Sequence, residues 1–196
     1  MIHEFPTPIF HVKCKNWESK KKQILDLLNP SFQRIGGGFD QFFWEQQVYV
    51  ETDYFESPQP PYCSQLISLL REDIEEFRKE ARIESPYEVK NMWYERARSK
   101  QYHPLHDHGP KGYSCVLYVE LDGKQKGTMF QDEVFKDKFF QFDVEEGDII
   151  FFPSWLKHQA SVNESENVRT IVSWNTGRIA EKTQLYSEYE QYCTHV

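Results

Sequence analysis

The chain has 196 residues, of which 39% are hydrophobic and 16% aromatic, and its formal net charge is -8. This length suits one domain and this apolar content can fill a core, which excludes a wholly disordered chain. The negative charge argues against nucleic acid as the main partner, because Lys and Arg make most contacts to phosphate.

The N-terminal residues, Met1 to Pro8, lack the basic start and the apolar run of a signal peptide, and no stretch is long enough to span a bilayer. We therefore expect a cytoplasmic protein without a membrane partner. The four cysteines are widely scattered and form no CxxC pair, which favours free thiols over a disulfide framework or a structural zinc site. Cys115 lies in an apolar run and is expected in the core.

Two helices are predicted in the first half of the chain. The first covers Asn16 to Leu28, with Asn16 as its N-cap and Pro30 ending it. The second follows Pro60 and Pro61 and has an apolar stripe with helical spacing, which should brace a sheet. The stripe consists of Leu66, Leu69, Leu70, Ile74, Phe77 and Ala81. The three glycines at 36–38 lack the pattern of a phosphate-binding loop and are interpreted as a turn.

From Tyr87 onward, short runs rich in Val, Ile, Phe, Tyr and Trp alternate with polar turns. This pattern favours an α+β, mainly β protein whose jelly-roll core has N-terminal helices on one sheet. The predicted strands are Tyr87 to Arg98, Tyr113 to Leu121, Thr128 to Phe135, Phe139 to Asp143, Asp148 to Phe152, His158 to Val162 and Val168 to Asn175. We expect a single domain over 1–196, with a helical part at about 1–86, the core at about 87–177 and a tail at 178–196.

Three histidines form the candidate metal site. In an extended segment side chains alternate, so His106 and His108 point the same way while Asp107 points opposite. His158 follows an apolar strand and a turn that could bring it to the same mouth of a barrel. Three protein ligands on one face leave positions open for other ligands. His103 precedes Pro104 and is out of register, so it is left out.

A lone arginine begins the last apolar strand. If Arg169, Ile171 and Ser173 share a face, the guanidinium enters the barrel with a hydroxyl further along that face. A buried arginine needs a partner, and a carboxylate suits its planar fork, so a carboxylate of a ligand is one candidate. A surface salt bridge at the strand end is the alternative. Tyr118, in the strand from Tyr113, could place its hydroxyl in the same interior.

These residues resemble the iron(II)- and 2-oxoglutarate-dependent oxygenase superfamily, and within it a group of oxygenases common in phages and marine bacteria. The resemblance is strongest from Trp93 to Asn175 and rests on HxHxG, on the run from Gly147 to His158, and on the run from Arg169 to Asn175. It implies a double-stranded β-helix core, like that of cupins. It also implies Fe(II), 2-oxoglutarate and dioxygen as cofactors.

Carried over by position, the resemblance implies His106 and His158 as iron ligands, Arg169 as the anchor of the distal carboxylate of 2-oxoglutarate, and Ser173 as its helper. Tyr118 is similar in placement to a cosubstrate-binding tyrosine of the prolyl hydroxylase branch. Most of the superfamily has HxD or HxE where this chain has His108. The third ligand is therefore His108, which needs no irregular backbone, or Asp107 if a bulge intervenes. Glu95 stands where the group usually has Asn.

The predicted function is an Fe(II)- and 2-oxoglutarate-dependent dioxygenase, which hydroxylates an unactivated C–H bond of a peptidyl or small-molecule substrate and releases succinate and CO2. One alternative is a three-histidine cupin-like dioxygenase that does not use 2-oxoglutarate. Another is a metal-binding jelly-roll protein without catalysis, since three histidines also suit zinc.

Overall fold

The computed structural model describes residues 7–35, 50–84 and 87–176. Within these ranges there are three helices, α1 (Trp17–Ile35), α2 (Cys63–Leu69) and α3 (Arg71–Glu80). The strands are β1 (Phe10–Lys13), β2 (Glu51–Thr52), β3 (Val89–Ala97), β4 (His103–His106), β5 (Tyr113–Glu120), β6 (Thr128–Gln131), β7 (Phe139–Gln141), β8 (Asp148–Pro153), β9 (His158–Ala160) and β10 (Arg169–Thr176). The predicted turn at 36–38 lies outside the described residues.

The strands form two antiparallel sheets. The larger has six strands in the order β1-β8-β5-β10-β3-β2, and the smaller has four in the order β4-β9-β6-β7. The predicted mainly β architecture is confirmed. Within the described ranges, no helix is both long and apolar enough to cross a membrane.

One apolar layer joins the three helices to the outer face of the six-stranded sheet. Leu28 of α1, Leu66 of α2 and Phe77 of α3 are completely buried there against sheet residues such as Leu117 and Trp174. This layer confirms the prediction that the helices brace a sheet. Cys115 is buried in the same layer, also as predicted.

A smaller apolar cluster lies between the two sheets. It takes Val116 and Tyr118 from β5, Phe130 from β6, Phe152 from β8 and Ile171 from β10. Because successive strand residues point to opposite faces, β5 sends Val116 and Tyr118 into the barrel while its neighbours face the helices. Tyr118 therefore lies in the interior of the barrel, as the sequence predicted.

The first helix differs from its prediction at both ends. Asn16 precedes α1 with a φ of 56°, and the helix continues through Pro30 to Ile35. A proline inside a helix lowers its stability, because proline has no N–H to donate and its ring clashes with the preceding turn. Burial of Leu28 and Ser31 on either side of Pro30 stabilises the continued helix. Pro30 as a helix end was wrong.

The second predicted helix is divided at Leu70 into α2 and α3, while the apolar stripe stays on one side. Leu66, Leu70, Ile74 and Phe77 are all buried. Breaking the axis at a buried leucine lets both short helices keep this side against the sheet.

Two strands from the N-terminal part of the chain were not predicted. β1 pairs with β8 and β2 pairs with β3, so they form the two edges of the six-stranded sheet. Both are short, and β2 has only two residues, which gives no alternating pattern to recognise. The part of the chain expected to be helical thus also completes the sheet.

The start of α1 is packed tightly on the turn before β8. Gly147 in that turn has a φ of +85°, and a Cβ added there would lie 2.5 Å from the Trp17 ring. Only glycine meets both conditions without strain. This contact ties the helical layer to the strand that leads toward His158.

Candidate metal centre

The structure brings His106, His108 and His158 together. His106 ends β4 and His158 begins β9, and the two are direct partners across this strand pair. His108 lies two residues beyond β4, where its backbone N–H donates to the Ser154 carbonyl at 2.8 Å. One ring nitrogen from each histidine lies within 4.8 Å of the other two. Three imidazoles therefore converge on one point at the mouth of the barrel.

Two of the rings have a defined tautomer. The Nδ1 atom of His106 lies 2.7 Å from the Pro104 carbonyl, and that of His158 lies 2.8 Å from the Leu156 carbonyl. A carbonyl oxygen only accepts, so each Nδ1 carries the hydrogen and donates it. The Nε2 atoms are left with a free lone pair, and this backbone orientation is typical of metal-binding histidines.

The three rings are kept neutral by their surroundings. Burial, reinforced by the charge of His103, lowers the pKa of His106 to about 4. Burial and the neighbouring His106 lower the pKa of His108 to about 4, and burial holds the pKa of His158 well below its usual value. Neutral imidazole is the form that binds a metal ion.

Asp107 and His103 lie beside this group but are not members of it. Asp107 is exposed, and its carboxylate accepts the Gly109 N–H at 3.0 Å within the loop. The His103 ring stacks on the His106 ring, with centroids 4.0 Å apart and planes at 11°. By stacking on the His106 ring, the His103 ring thus helps to keep it in this orientation.

A buried polar network behind the histidines was missed from the sequence. The Glu95 carboxylate accepts the Trp93 indole N–H at 3.0 Å and binds His103 Nδ1 at 2.8 Å. Burial alone would raise the pKa of Glu95, but the charge and hydrogen bond of His103 lower it to about 2. Burial lowers and Glu95 raises the pKa of His103, with a net increase. One indication of this network was present in the sequence: Trp93 and Glu95 are two residues apart in β3 and therefore share one face of the strand.

Arg169 is buried at the start of β10, with 3% of its surface exposed. One guanidinium nitrogen donates to the Lys126 carbonyl at 3.3 Å. Among the described residues it has no ion pair within 4.0 Å, which disfavours the alternative of a surface salt bridge. Burial lowers the pKa of the Arg169 guanidinium, and the charge of Glu95 opposes this effect.

Tyr118 and Ser173 are both buried in the barrel. The Tyr118 hydroxyl lies 2.9 Å from the Thr128 hydroxyl and accepts the Thr128 N–H at 2.9 Å. Burial raises the pKa of Tyr118, so it stays protonated. Ser173 is the direct partner of Val116 on β5 and Trp93 on β3.

A small interior cavity of about 20 Å³ connects the histidines to Ser173. Thr128, Ile171 and Phe152 also line it, and Tyr118 contacts its wall through Thr128. This volume holds about one water molecule, so a larger ligand would require the lining side chains to move apart. Neither Arg169 nor Tyr118 is among the described residues that line it.

The donor set fits iron(II). Three neutral imidazoles on one face, two with a lone pair fixed by backbone acceptors, leave the opposite positions open. The buried guanidinium of Arg169 supplies a cation for a dicarboxylate, and Ser173 lines the cavity next to the histidines. The residues present are thus compatible with both iron and 2-oxoglutarate.

Comparison with protein families gives one match. Residues 91–175 match a family described as "Putative 2OG-Fe(II) oxygenase". This segment runs from the start of β3 almost to the end of β10 and contains all three histidines, Tyr118, Arg169 and Ser173. No curated protein sequence matches the chain.

Solved structures share the fold at low sequence identity. The 2OG-Fe(II) oxygenase family oxidoreductase from Burkholderia pseudomallei aligns with 60% of this chain and 59% of its own at 14% identity and a TM-score of 0.53. The collagen prolyl hydroxylase vCPH of Paramecium Bursaria Chlorella virus-1 aligns with 87% and 96% at 13% identity and a TM-score of 0.60. HygX from Streptomyces hygroscopicus, bound to nickel, 2-oxoglutarate and hygromycin B, aligns with 88% and 84% at 10% identity and a TM-score of 0.59.

These matches agree with the double-stranded β-helix predicted from the sequence. The cofactors of the matched family are iron(II), 2-oxoglutarate and dioxygen, as predicted. Residues 91–175 thus match a family of 2OG-Fe(II) oxygenases, and the chain has the fold of solved 2OG-Fe(II) oxygenases.

Proposed function

We propose that the protein hydroxylates an unactivated C–H bond of a peptidyl or small-molecule substrate and converts 2-oxoglutarate to succinate and CO2. The observation that carries this proposal is the convergence of three neutral imidazoles, one buried and two half-buried, at the mouth of the barrel. The resemblance to a prolyl hydroxylase and to a hygromycin-bound protein supports both substrate classes.

In this proposal His106, His108 and His158 hold iron(II) through ring nitrogens. The Pro104 and Leu156 carbonyls keep two of the rings oriented, and the His103 ring supports His106 from behind. Asp107 stays outside the coordination sphere, since its carboxylate already bonds the loop backbone. The ligand set therefore carries no charge of its own.

We assign the distal carboxylate of 2-oxoglutarate to Arg169, with Ser173 and Tyr118 as hydrogen-bond donors. A buried guanidinium without an ion pair among the described residues gains a partner when a carboxylate arrives. The Tyr118 hydroxyl can exchange its Thr128 acceptor for the carboxylate. Because the three histidines are neutral, the dianion also balances the charge of the metal.

Iron(II), 2-oxoglutarate and dioxygen together supply the oxidising chemistry, which belongs to the cofactors rather than to an acid or base of the protein. The side chains of the chain position these groups and keep water away. Phe152 packs edge-on against His158 with ring centroids 4.6 Å apart, and Trp93 lies 5.4 Å from the His108 ring. These aromatic walls limit solvent on two sides of the centre.

We also propose that residues 1–196 act as one domain, because β1 and β2 complete the sheet that carries Arg169 and Ser173. A protein that begins at residue 87 would lack β1 and β2, so β8 and β3 would each have an unpaired edge.

A second candidate is favoured by the neutral triad itself. A cupin-like dioxygenase with three histidine ligands needs no 2-oxoglutarate. Under that function, however, Arg169 and Ser173 have no common ligand to bind. The two functions are separated by whether turnover requires the cosubstrate. A non-catalytic zinc protein would show neither oxygen consumption nor cosubstrate binding.

The test is an anaerobic ultraviolet-visible titration of the iron(II) protein with 2-oxoglutarate. A weak charge-transfer band that saturates in wild type, needs more cosubstrate in Arg169→Ala, and is absent in His158→Ala supports the proposal. Arg98→Ala is the matched control, since Arg98 lies in the exposed turn after β3. A wild-type protein that binds iron but develops no band contradicts the role of 2-oxoglutarate.

A further inference from the structure

A second and larger cavity borders two of the three histidines, His106 and His108. Its volume is about 310 Å³, near the lower end of the range of ligand sites, about 300 to 1,000 Å³. A site of this size suits a small molecule or one side chain of a larger substrate. The lining residues are Thr52, Tyr54, Phe55, Trp93, Glu95, His103, His106, Asp107 and His108.

Three aromatic rings form a corner of this cavity. Tyr54 meets Phe55 at a centroid distance of 4.9 Å and meets Trp93 at 5.0 Å, both at 84°. Tyr54 and Phe55 are about 40% exposed, so they stand at the entrance, while Trp93 is buried next to His108. Perpendicular rings that meet in this way present π faces from more than one direction, which is the arrangement that binds cations.

The charge of the lining has the complementary sign. It carries two carboxylates, Glu95 and Asp107, and none of its nine described residues is a lysine or arginine. Glu95 already bonds His103 Nδ1 at 2.8 Å. The lining is net negative whether or not His103 carries a charge, because Asp107 adds a second carboxylate. A positively charged group therefore loses less free energy on moving from water into this cavity than it would in a neutral cavity.

We propose that this cavity binds the substrate through a positively charged alkylammonium group, held by the Tyr54, Phe55 and Trp93 rings and by Asp107. The inference rests on the proposed function, since it assigns the substrate class of the same metal centre. A carbon of that amine would lie next to the open positions of the centre. The protein is thus an oxygenase of free or peptidyl amines.

The binding test uses zinc-loaded protein, so that the metal keeps β4 and β9 together and binding does not depend on catalysis. N-acetyl-L-lysine methylamide and its Nε-acetylated form serve as charged and neutral probes and are titrated by isothermal calorimetry. We expect the charged probe to bind at least about 10-fold more tightly. Tyr54→Leu and Asp107→Asn should each weaken the charged probe roughly 3- to 10-fold and leave the neutral probe unchanged.

Matched controls are Phe135→Leu and Asp143→Asn, which change an exposed aromatic and an exposed carboxylate outside the lining. Both should bind the charged probe like wild type. Because Asp107 is exposed, Asp107→Asn keeps the test informative even if Tyr54→Leu fails to fold. Equal binding of the two probes, tighter binding of the neutral probe, or no binding of either one overturns the amine assignment.

The same variants are then loaded with iron(II) and titrated anaerobically with 2-oxoglutarate. A charge-transfer band that is intact in Asp107→Asn, together with lost discrimination between the probes, supports the inference. An intact wild-type band without preference for the charged probe overturns the substrate class and leaves the proposed function standing. A missing wild-type band contradicts the proposed function, whatever the probes do.

Discussion

The two faces of the six-stranded sheet differ in almost every chemical property. The face under the helices is closed by apolar side chains, and Phe77 stacks there on Phe151 with centroids 4.0 Å apart. The face inside the barrel combines a smaller apolar cluster with Glu95, Arg169 and Ser173, all buried. One sheet therefore separates the residues that stabilise the fold from those assigned to chemistry, because neighbouring residues point to opposite sides.

The eight residues of β10 contribute to both faces of the sheet. Val172 and Trp174 of β10 belong to the helix-covered layer, while Arg169, Ile171 and Ser173 are assigned to the interior. A substitution on one side should leave the function of the other side largely intact. The following experiments test that separation.

The largest effect is expected for His158→Ala, which removes a proposed ligand. Loss of a residue that hydrogen-bonds a metal ligand already lowers metal affinity about 10- to 100-fold. Loss of the ligand itself should therefore lower the affinity further. Iron(II) affinity measured by competition with a chromophoric chelator gives the comparison, with His11→Ala as control. Wild-type affinity in His158→Ala would remove this residue from the ligand set.

On the opposite face, Phe77→Ala should destabilise the fold by about 3–5 kcal/mol, the usual cost of removing a buried phenylalanine. Chemical denaturation followed by circular dichroism measures the free energy of unfolding. The folded fraction should keep the metal affinity of wild type. A large loss of affinity in folded Phe77→Ala would show that the two faces are coupled.

Asp53 is a buried carboxyl on the helix-covered side, and it offers a pH test. Burial raises its pKa from 3.8 to about 6, although the Tyr94 N–H and Tyr62 hydroxyl donate to it. The native state thus binds a proton more tightly than the unfolded state. Wild type should therefore lose stability relative to Asp53→Asn as pH rises from about 4 to about 6. The loss is on the order of 3 kcal/mol, at 1.36 kcal/mol per pKa unit.

Denaturation of both proteins at several pH values measures this difference. A gap between Asp53→Asn and wild type that stays constant from pH 4 to 7 would mean that the pKa of Asp53 is not raised.

The smallest effect compares two adjacent residues. Ser173→Ala should weaken 2-oxoglutarate binding about 5-fold, the value of one hydrogen bond near 1 kcal/mol, with little change in stability. Val172→Ala should do the reverse, because this completely buried side chain belongs to the outer layer. Cosubstrate titrations and melting curves of both variants give the result. Equal effects of the two substitutions on 2-oxoglutarate would argue against a direct contact from Ser173.

The sequence predicted the parts that follow periodic rules. Strands β5, β8 and β10 have long apolar runs, and the position of Tyr118 in β5 predicted that it lies inside. The meeting of His106, His108 and His158 was predicted from spacing and resemblance. The convergence of these rings depends on β4 pairing with β9, which no local pattern contains.

The remaining features depend on contacts between distant segments. Pro30 stays inside α1 because tertiary burial outweighs a local helix breaker. The Glu95–His103 pair was missed because its partners come from different strands, and the preceding proline made His103 look unsuited to the site. Tyr54 and Phe55 become part of a cavity only when the turn after β2 is placed over Trp93.

The short strand pair that carries His106 and His158 has a consequence for the apoprotein. β4 has four residues and β9 has three, and the two histidines are direct partners. A metal held by both is a crosslink between two separate stretches of chain, and its binding energy is added to the stability of the smaller sheet. We therefore expect this sheet to open first when iron is scarce, and amide exchange in β4 and β9 to slow as metal is added.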